Sequence, residues 1–180
     1  MNLPRTLLIL AAALAMQAAQ ATLKVGAVAP DFHADASLGG KPFAFWLKEA
    51  LAKGPVVLYF YPAAFTPGCT VEAHLFAEAS EEFGKLGASV VGMSKDDVAT
   101  LNKFSVSECR SKFPVAADPK LAVATQYEAL LATHPGYSSR TSYVIAPDGT
   151  ILSALDEMKP EPHIQNALTV LKAWRAMHKA

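Results

Sequence analysis

The sequence predicts an α/β domain, a central mixed β-sheet flanked by helices, from three observations. Short apolar runs rich in β-branched and aromatic residues alternate with stretches whose apolar residues recur every three or four positions, the order that builds a largely parallel sheet. A late pair of apolar runs flanks Pro147-Asp148-Gly149-Thr150, the turn chemistry of a hairpin, which adds antiparallel pairing. The chain has 180 residues, 52% apolar and 18% charged, enough for one buried core, and carries no repeat, low-complexity tract or linker.

Taken in order, residues 1–21 stand apart from the fold. One cation, Arg5, precedes the uncharged run Leu7 to Ala15 and then Ala19-Gln20-Ala21, which fits the small-x-small rule of a secretory signal peptide cleaved after Ala21. The apolar run is shorter than the roughly 20 residues of a spanning helix, so no membrane association is expected after cleavage. The folded domain is therefore expected over residues 22–180, exported, and periplasmic if the source is a Gram-negative bacterium. After a lead-in containing Pro and Gly, Val56 to Tyr61 reads as a buried central strand between prolines, and Val71 to Leu86 as an amphipathic helix stopped by Gly87. Ala88 to Met93 is a second buried strand, and Asp97 to about Ser107 a second helix. Thr141 to Ala146 and Ile151 to Leu155 form the hairpin, and a last helix begins after Pro160-Glu161-Pro162 with Ile164, Ala167, Leu168, Leu171 and Trp174 on one face. Ala129 to Ser139 reads as an irregular loop.

Charge and cysteine usage narrow the function classes. Sixteen Lys plus Arg balance sixteen Asp plus Glu, so the chain lacks the basic excess that holds a protein on nucleic acid. Two cysteines are too few for a disulfide scaffold and do not sit at zinc-ligand spacing. Thr66 suits an N-cap and Pro67 the first helical position, which puts Cys69 in the first turn of the long helix, among N–H groups that favour an anion. A thiolate gains from that positive helix end, so Cys69 reads as a nucleophile at a strand-to-helix mouth outside the core. The alternative is a buried, inert cysteine.

The spacing Pro62, three residues, Thr66, two residues, Cys69 resembles the signature of the peroxiredoxins. The form Thr66-Pro67-Gly68-Cys69-Thr70-Val71-Glu72 is similar to the bacterioferritin comigratory protein branch, also called peroxiredoxin Q. The likeness runs from about Val25 to the final helix and includes Val91-Gly92-Met93-Ser94, Phe113 to Pro119 and Arg140 to Ile145. It implies a thioredoxin-like fold, although this chain has no Cys-x-x-Cys. It also implies that Cys69 attacks a peroxide oxygen and becomes a sulfenic acid, that the Thr66 hydroxyl holds thiolate and peroxide, and that Pro62 shapes the pocket and limits water. Arg140 matches the family's arginine, which favours the thiolate and polarises the O–O bond. From the residues alone, Arg140 is equally a solvated surface residue and Thr66 a mere cap. Glu72 either orients Arg140 through a salt bridge or is a plain surface charge.

Many members of this branch place a second cysteine five residues after the first; here that position is His74, otherwise an exposed helix residue. Cys109, 40 residues on, matches a further group that resolves from a later helix. The resemblance then implies an intramolecular disulfide from Cys69 to Cys109, which requires Cα atoms within about 7 Å and so helix-end unwinding. The alternative is a packing role for Cys109 and rescue of Cys69 by an external thiol. The resemblance implies a thiol peroxidase for hydrogen peroxide or organic hydroperoxides, recycled by a thioredoxin-like or small-thiol reductant, with no metal or organic cofactor. It is expected to be a monomer or weak homodimer. A disulfide oxidoreductase is disfavoured by the missing Cys-x-x-Cys; a redox sensor without rapid turnover is the reading from another class.

Overall fold

The computed structural model describes residues 22–178, so the expected signal segment lies outside the described residues. Seven strands form one mixed sheet in the order β2-β1-β5-β4-β3-β6-β7. The strands are β1 (His33–Leu38), β2 (Lys41–Trp46), β3 (Val56–Phe60), β4 (Ser89–Ser94), β5 (Val115–Ala117), β6 (Thr141–Ile145) and β7 (Ile151–Asp156). The helices are α1 (Leu47–Leu51), α2 (Pro67–Lys85), α3 (Val98–Ser107), α4 (Ala122–Gln126) and α5 (Glu161–Met177). β3, β4 and β5 run parallel, β6 lies antiparallel to β3, and β6 and β7 form the expected hairpin.

The expected mixed sheet flanked by helices is therefore present. β3 is central and wholly buried, as its apolar run between Pro55 and Pro62 requires. Alternate residues divide the core between the two faces of the sheet. Val56, Leu58 and Phe60 join Val91, Met93, Tyr127, Tyr143 and Ile145 on the face covered by α1 and α4. Val57, Tyr59 and Tyr61 join Cys69, Phe76, Leu101, Phe104, Cys109 and Ile164 on the face covered by α2, α3 and α5. Both cysteines thus lie in one apolar cluster.

α2 begins at Pro67, the first helical position expected after Thr66, because the proline supplies the helical φ and its missing N–H costs nothing at that end. Other boundaries differ from expectation. α5 begins at Glu161, with Pro162 inside its first turn for the same reason. The lead-in holds an unanticipated hairpin, β1–β2, whose Gly39 and Gly40 adopt φ of 57° and 78° in a two-residue turn. Its tip docks on α3: Ser105 Oγ accepts from Gly40 N at 2.9 Å and lies 3.1 Å from Ser37 Oγ. The segment 129–139 has no helix or strand, as expected, apart from one bridge between Leu130 and Ser138.

Candidate active site

β3 ends at Phe60, and Tyr61 to Thr66 carry the chain from the sheet to the first turn of α2. Asp96, just after β4, pins this crossing: its Oδ2 accepts from Ala64 N and from Ser94 Oγ, both at 2.7 Å. Phe65 is held at φ 62°, a left-handed conformation costly for an L-residue. Its ring meets Phe104 of α3 edge-on at 5.2 Å. Thr66 occupies the N-cap position, but its hydroxyl caps nothing; it donates to Ala63 O at 3.0 Å, tightening the loop instead. Pro62 is half-buried within that loop.

Cys69 is buried, with 2% of its surface exposed, which corrects the expectation of a position outside the core. The first turn of α2 lies over the sheet, with Ala73 and Phe76 continuing its buried face. Burial here does not leave the sulfur apolar. Arg140 Nη2 donates to Cys69 Sγ at 3.6 Å, Arg140 Nη1 binds Glu72 Oε2, and Arg140 Nε donates to Met158 O at 2.9 Å. Arg140 is thus no surface residue, nor is Glu72: they are 4% and 0% exposed. Gly68 makes the approach possible, since a Cβ there would stand 2.9 Å from Arg140 Nη2.

Burial pushes the Glu72 carboxyl up, to about 8, against the pull of Arg140. Arg140 is held above its ordinary range despite its own burial, because Glu72 and Cys69 both favour its charge. A guanidinium with three directed donors, one aimed at a sulfur, is chemically able to hold negative charge that develops on or next to that sulfur.

Sequence reasoning missed the groups that hold Arg140 from behind. His163, fully buried, donates from Nε2 to Glu157 O at 2.7 Å, and its Nδ1 lies 2.7 Å from Ser142 Oγ, its donor. Glu157 N in turn donates to Arg140 O at 3.2 Å. Burial holds the His163 imidazole below its ordinary value, so it serves as a neutral strut. Main-chain partners such as Met158 O leave no trace in sequence. His163 in the first turn of an otherwise apolar helix face was the one available signal.

Cys109 is fully buried one residue past the C-cap of α3, and both thiols are free. Desolvation drives its thiol far above the ordinary range, with Glu108 adding to the shift. The structure therefore brings Cys69, Glu72 and Arg140 into one hydrogen-bonded group, with Pro62 and Thr66 in the loop leading to it. Cys109 stays outside that group. His74 is not a free surface residue, since its Nε2 lies 2.9 Å from Glu108 Oε2.

Comparison with known proteins identifies the chain's family. Residues 25–154 match the AhpC/TSA family. A Mycobacterium tuberculosis protein whose name places it among the peroxiredoxins (Rv1608c) is 39% identical over 134 residues, covering 72% of this chain and 86% of that one. Peroxiredoxin Q of Gentiana triflora is 34% identical over 153 residues, covering 78% of this chain and 69% of its own. The crystal structure of peroxidoxin BcpB from Mycobacterium tuberculosis superposes with a TM-score of 0.75 at 35% identity, covering 83% of this chain and 97% of that one. The fold is the thioredoxin-like fold of these neighbours, and the chain belongs to the AhpC/TSA family as a thiol peroxidase of the peroxiredoxin Q and bacterioferritin comigratory protein type.

Proposed function

We propose that this chain is an exported peroxidase in which Cys69 attacks the peroxide and Cys109 resolves the product. The Cys69 thiolate takes one peroxide oxygen, the O–O bond breaks, and water or an alcohol leaves once the departing oxygen gains a proton. Cys69 becomes a sulfenic acid. The Cys109 thiol then attacks that sulfur; a disulfide forms and one water departs. A dithiol reductant of the thioredoxin-like kind restores both thiols by exchange, becoming a disulfide itself. The observation that carries the first step is the Arg140 Nη2 donor 3.6 Å from Cys69 Sγ, backed by buried Glu72. Pro62 and Thr66 would bound the approach to the sulfur from the loop side.

Export rests on residues 1–21, with cleavage after Ala21 and release into the periplasm of a Gram-negative cell or its equivalent. The mature domain is read as a monomer or weak homodimer.

Burial of Cys109 favours a competing scheme, a one-cysteine peroxidase rescued by an external thiol. Cys109→Ser separates the two. Under resolution by Cys109, the variant is oxidised by the first equivalent of peroxide at the wild-type rate, then accumulates sulfenic and sulfinic Cys69 by mass and fails to recycle with a dithiol. Turnover equal to wild type, with no Cys69–Cys109 peptide in the wild type, would establish the one-cysteine scheme. Cys69→Ser should abolish turnover under either, because a serine hydroxyl is scarcely ionised at neutral pH.

A further inference from the structure

Cys109 sits in a segment whose backbone is unfavourable on its own. Arg110 and Ser111, directly after it, have φ of 51° and 56°, two successive left-handed residues, neither a glycine. Local backbone bonds hold the turn: Cys109 N donates to Phe104 O at 3.1 Å, Ser111 N to Ser105 O at 2.8 Å, and Lys112 N to Cys109 O at 2.9 Å. The residues either side of Cys109 are each tied to α2. Glu108 Oε2 meets His74 Nε2 at 2.9 Å, and Arg110 Nη1 meets Glu78 Oε1 at 3.2 Å. His74 and Glu78 lie four residues apart, one above the other on the same face of α2.

We infer that His74 and Glu78 form a two-point clasp on the end of α3 and are positioning residues that set how often Cys109 leaves the core. A single polar side-chain contact between helices is ordinary surface chemistry of small effect. Here two pairs bracket one buried thiol, and the two residues directly after that thiol are held in a left-handed conformation costly for L-residues. Opening both pairs lets Arg110 and Ser111 relax out of the left-handed conformation and carries Cys109 from the apolar cluster toward solvent. α2, which holds the other half of each pair, also carries Cys69 in its first turn, so the clasp ties the Cys109 segment to the helix that bears the other thiol. The biological weight of the clasp rests on the reading of Cys109 as the resolving thiol, but its mechanics can be measured without it.

In a Cys69→Ser background Cys109 is the chain's only thiol, so its alkylation by iodoacetamide reports the open population. His74→Ala and Glu78→Gln are each expected to speed labelling by about two- to fivefold, the scale of single side-chain contacts between helices. The double variant should gain about the product of the two. Added NaCl to 0.5 M should speed labelling of the parent and leave the double variant unaffected. The swapped pair Glu78→Arg with Arg110→Glu should restore slow labelling, which a merely structural role for either side chain would not do. Labelling within 1.5-fold of the parent in the double variant, or a rise matched by an equal fall in global stability and not reversed by the swap, would overturn the clasp.

With Cys69 present, the same clasp variants should react with the first equivalent of peroxide at the unaltered rate and form the Cys69–Cys109 disulfide faster. Faster labelling of Cys109 with no such disulfide in any protein would sink the resolving role while leaving the clasp in place. A disulfide that forms at one rate in all variants, with labelling also unchanged, would do the reverse.

Discussion

Gly92→Ala offers a quantitative test of how the sheet supports the site. Gly92 on β4 pairs with Tyr59 on β3, and the Tyr59 ring lies across it. A Cβ at residue 92 would stand 2.7 Å from Tyr59 Cζ, 2.7 Å from its hydroxyl oxygen and 2.9 Å from Cε1, about 1 Å inside ordinary contact. The ring cannot slide away. It stacks on Phe76 at 4.4 Å, meets Phe113 edge-on at 6.0 Å and lies 5.5 Å from Tyr61. Overpacking of this kind costs about 1–3 kcal/mol, which for a domain this size lowers Tm by about 2–12 °C. Phe76 shares the buried face of α2 with Cys69 and Glu72, so the displaced ring pushes on the helix that positions the sulfur. The rate with the first equivalent of peroxide should fall about tenfold or more, since misplacement of reacting groups on the 1 Å scale has effects of up to about 100-fold. Stopped-flow tryptophan fluorescence and urea melts measure the two effects. Tyr59→Phe should not rescue Gly92→Ala, because Cζ and Cε1 remain; Tyr59→Leu should restore much of the stability. Tyr59→Phe alone removes a buried hydroxyl that has no hydrogen-bond partner among the described residues, and should be neutral or slightly stabilising. Rescue by Phe, or a Gly92→Ala protein as stable and fast as wild type, would refute the reasoning.

Arg140→Met should slow the peroxide reaction by about 100-fold or more in single-turnover kinetics, the effect of losing one donor aimed at developing charge; a loss of under threefold would remove Arg140 from the site. His163, held neutral by burial, has its folded value below the ordinary 6.5, so the unfolded chain binds the extra proton and this group's contribution to stability falls as pH drops below about 6.5. His163→Asn should flatten the urea midpoint between pH 6.5 and 5 relative to wild type, and an unchanged slope would show that His163 is not the group responsible. N-terminal sequencing of the exported protein should read from Thr22; a product retaining Leu7 to Ala15 would contradict export by cleavage.

The parts of the fold legible in sequence are those whose burial is periodic or complete. β3 is recognisable because five consecutive buried residues sit between prolines, and α2 because its apolar spacing persists over several turns. β1 is not, since His33-Ala34-Asp35-Ala36-Ser37-Leu38 is short and half polar, although Gly39-Gly40 between two extended runs is a hairpin signal that could have been used. β5 and α4, with three and five residues, fall below any periodic pattern. At the site, the helix start was enough to place Cys69, and the family pattern to place Arg140. Their pairing with Glu72 depends on β6 lying antiparallel to β3, which brings together residues 68 positions apart. The burial of Cys69 was missed because a helix N-terminus reads as a surface feature until the packing of that turn over the sheet is known. Thr66 shows the limit of side-chain logic: the residue at the cap position is right, but its hydroxyl bonds backward to Ala63.

The division of the core by the sheet has a consequence for how sequence change is tolerated. Both thiols and Glu72, the partner of the Arg140 guanidinium, belong to the α2–α3 side, while Phe60, Tyr127, Tyr143 and Ile145 fill the opposite side. Ring–ring contacts at 5.3–6.4 Å knit Phe60, Tyr127 and Tyr143 together there, and Tyr143 Oη donates to Tyr127 O. Under the proposed resolving scheme, helix ends on the thiol side would fray and re-form while that second layer keeps the sheet assembled, so partial opening need not become global unfolding. Substitutions beneath the sheet should therefore register chiefly in the lifetime of the folded protein, whereas those on the α2–α3 side register in turnover as well.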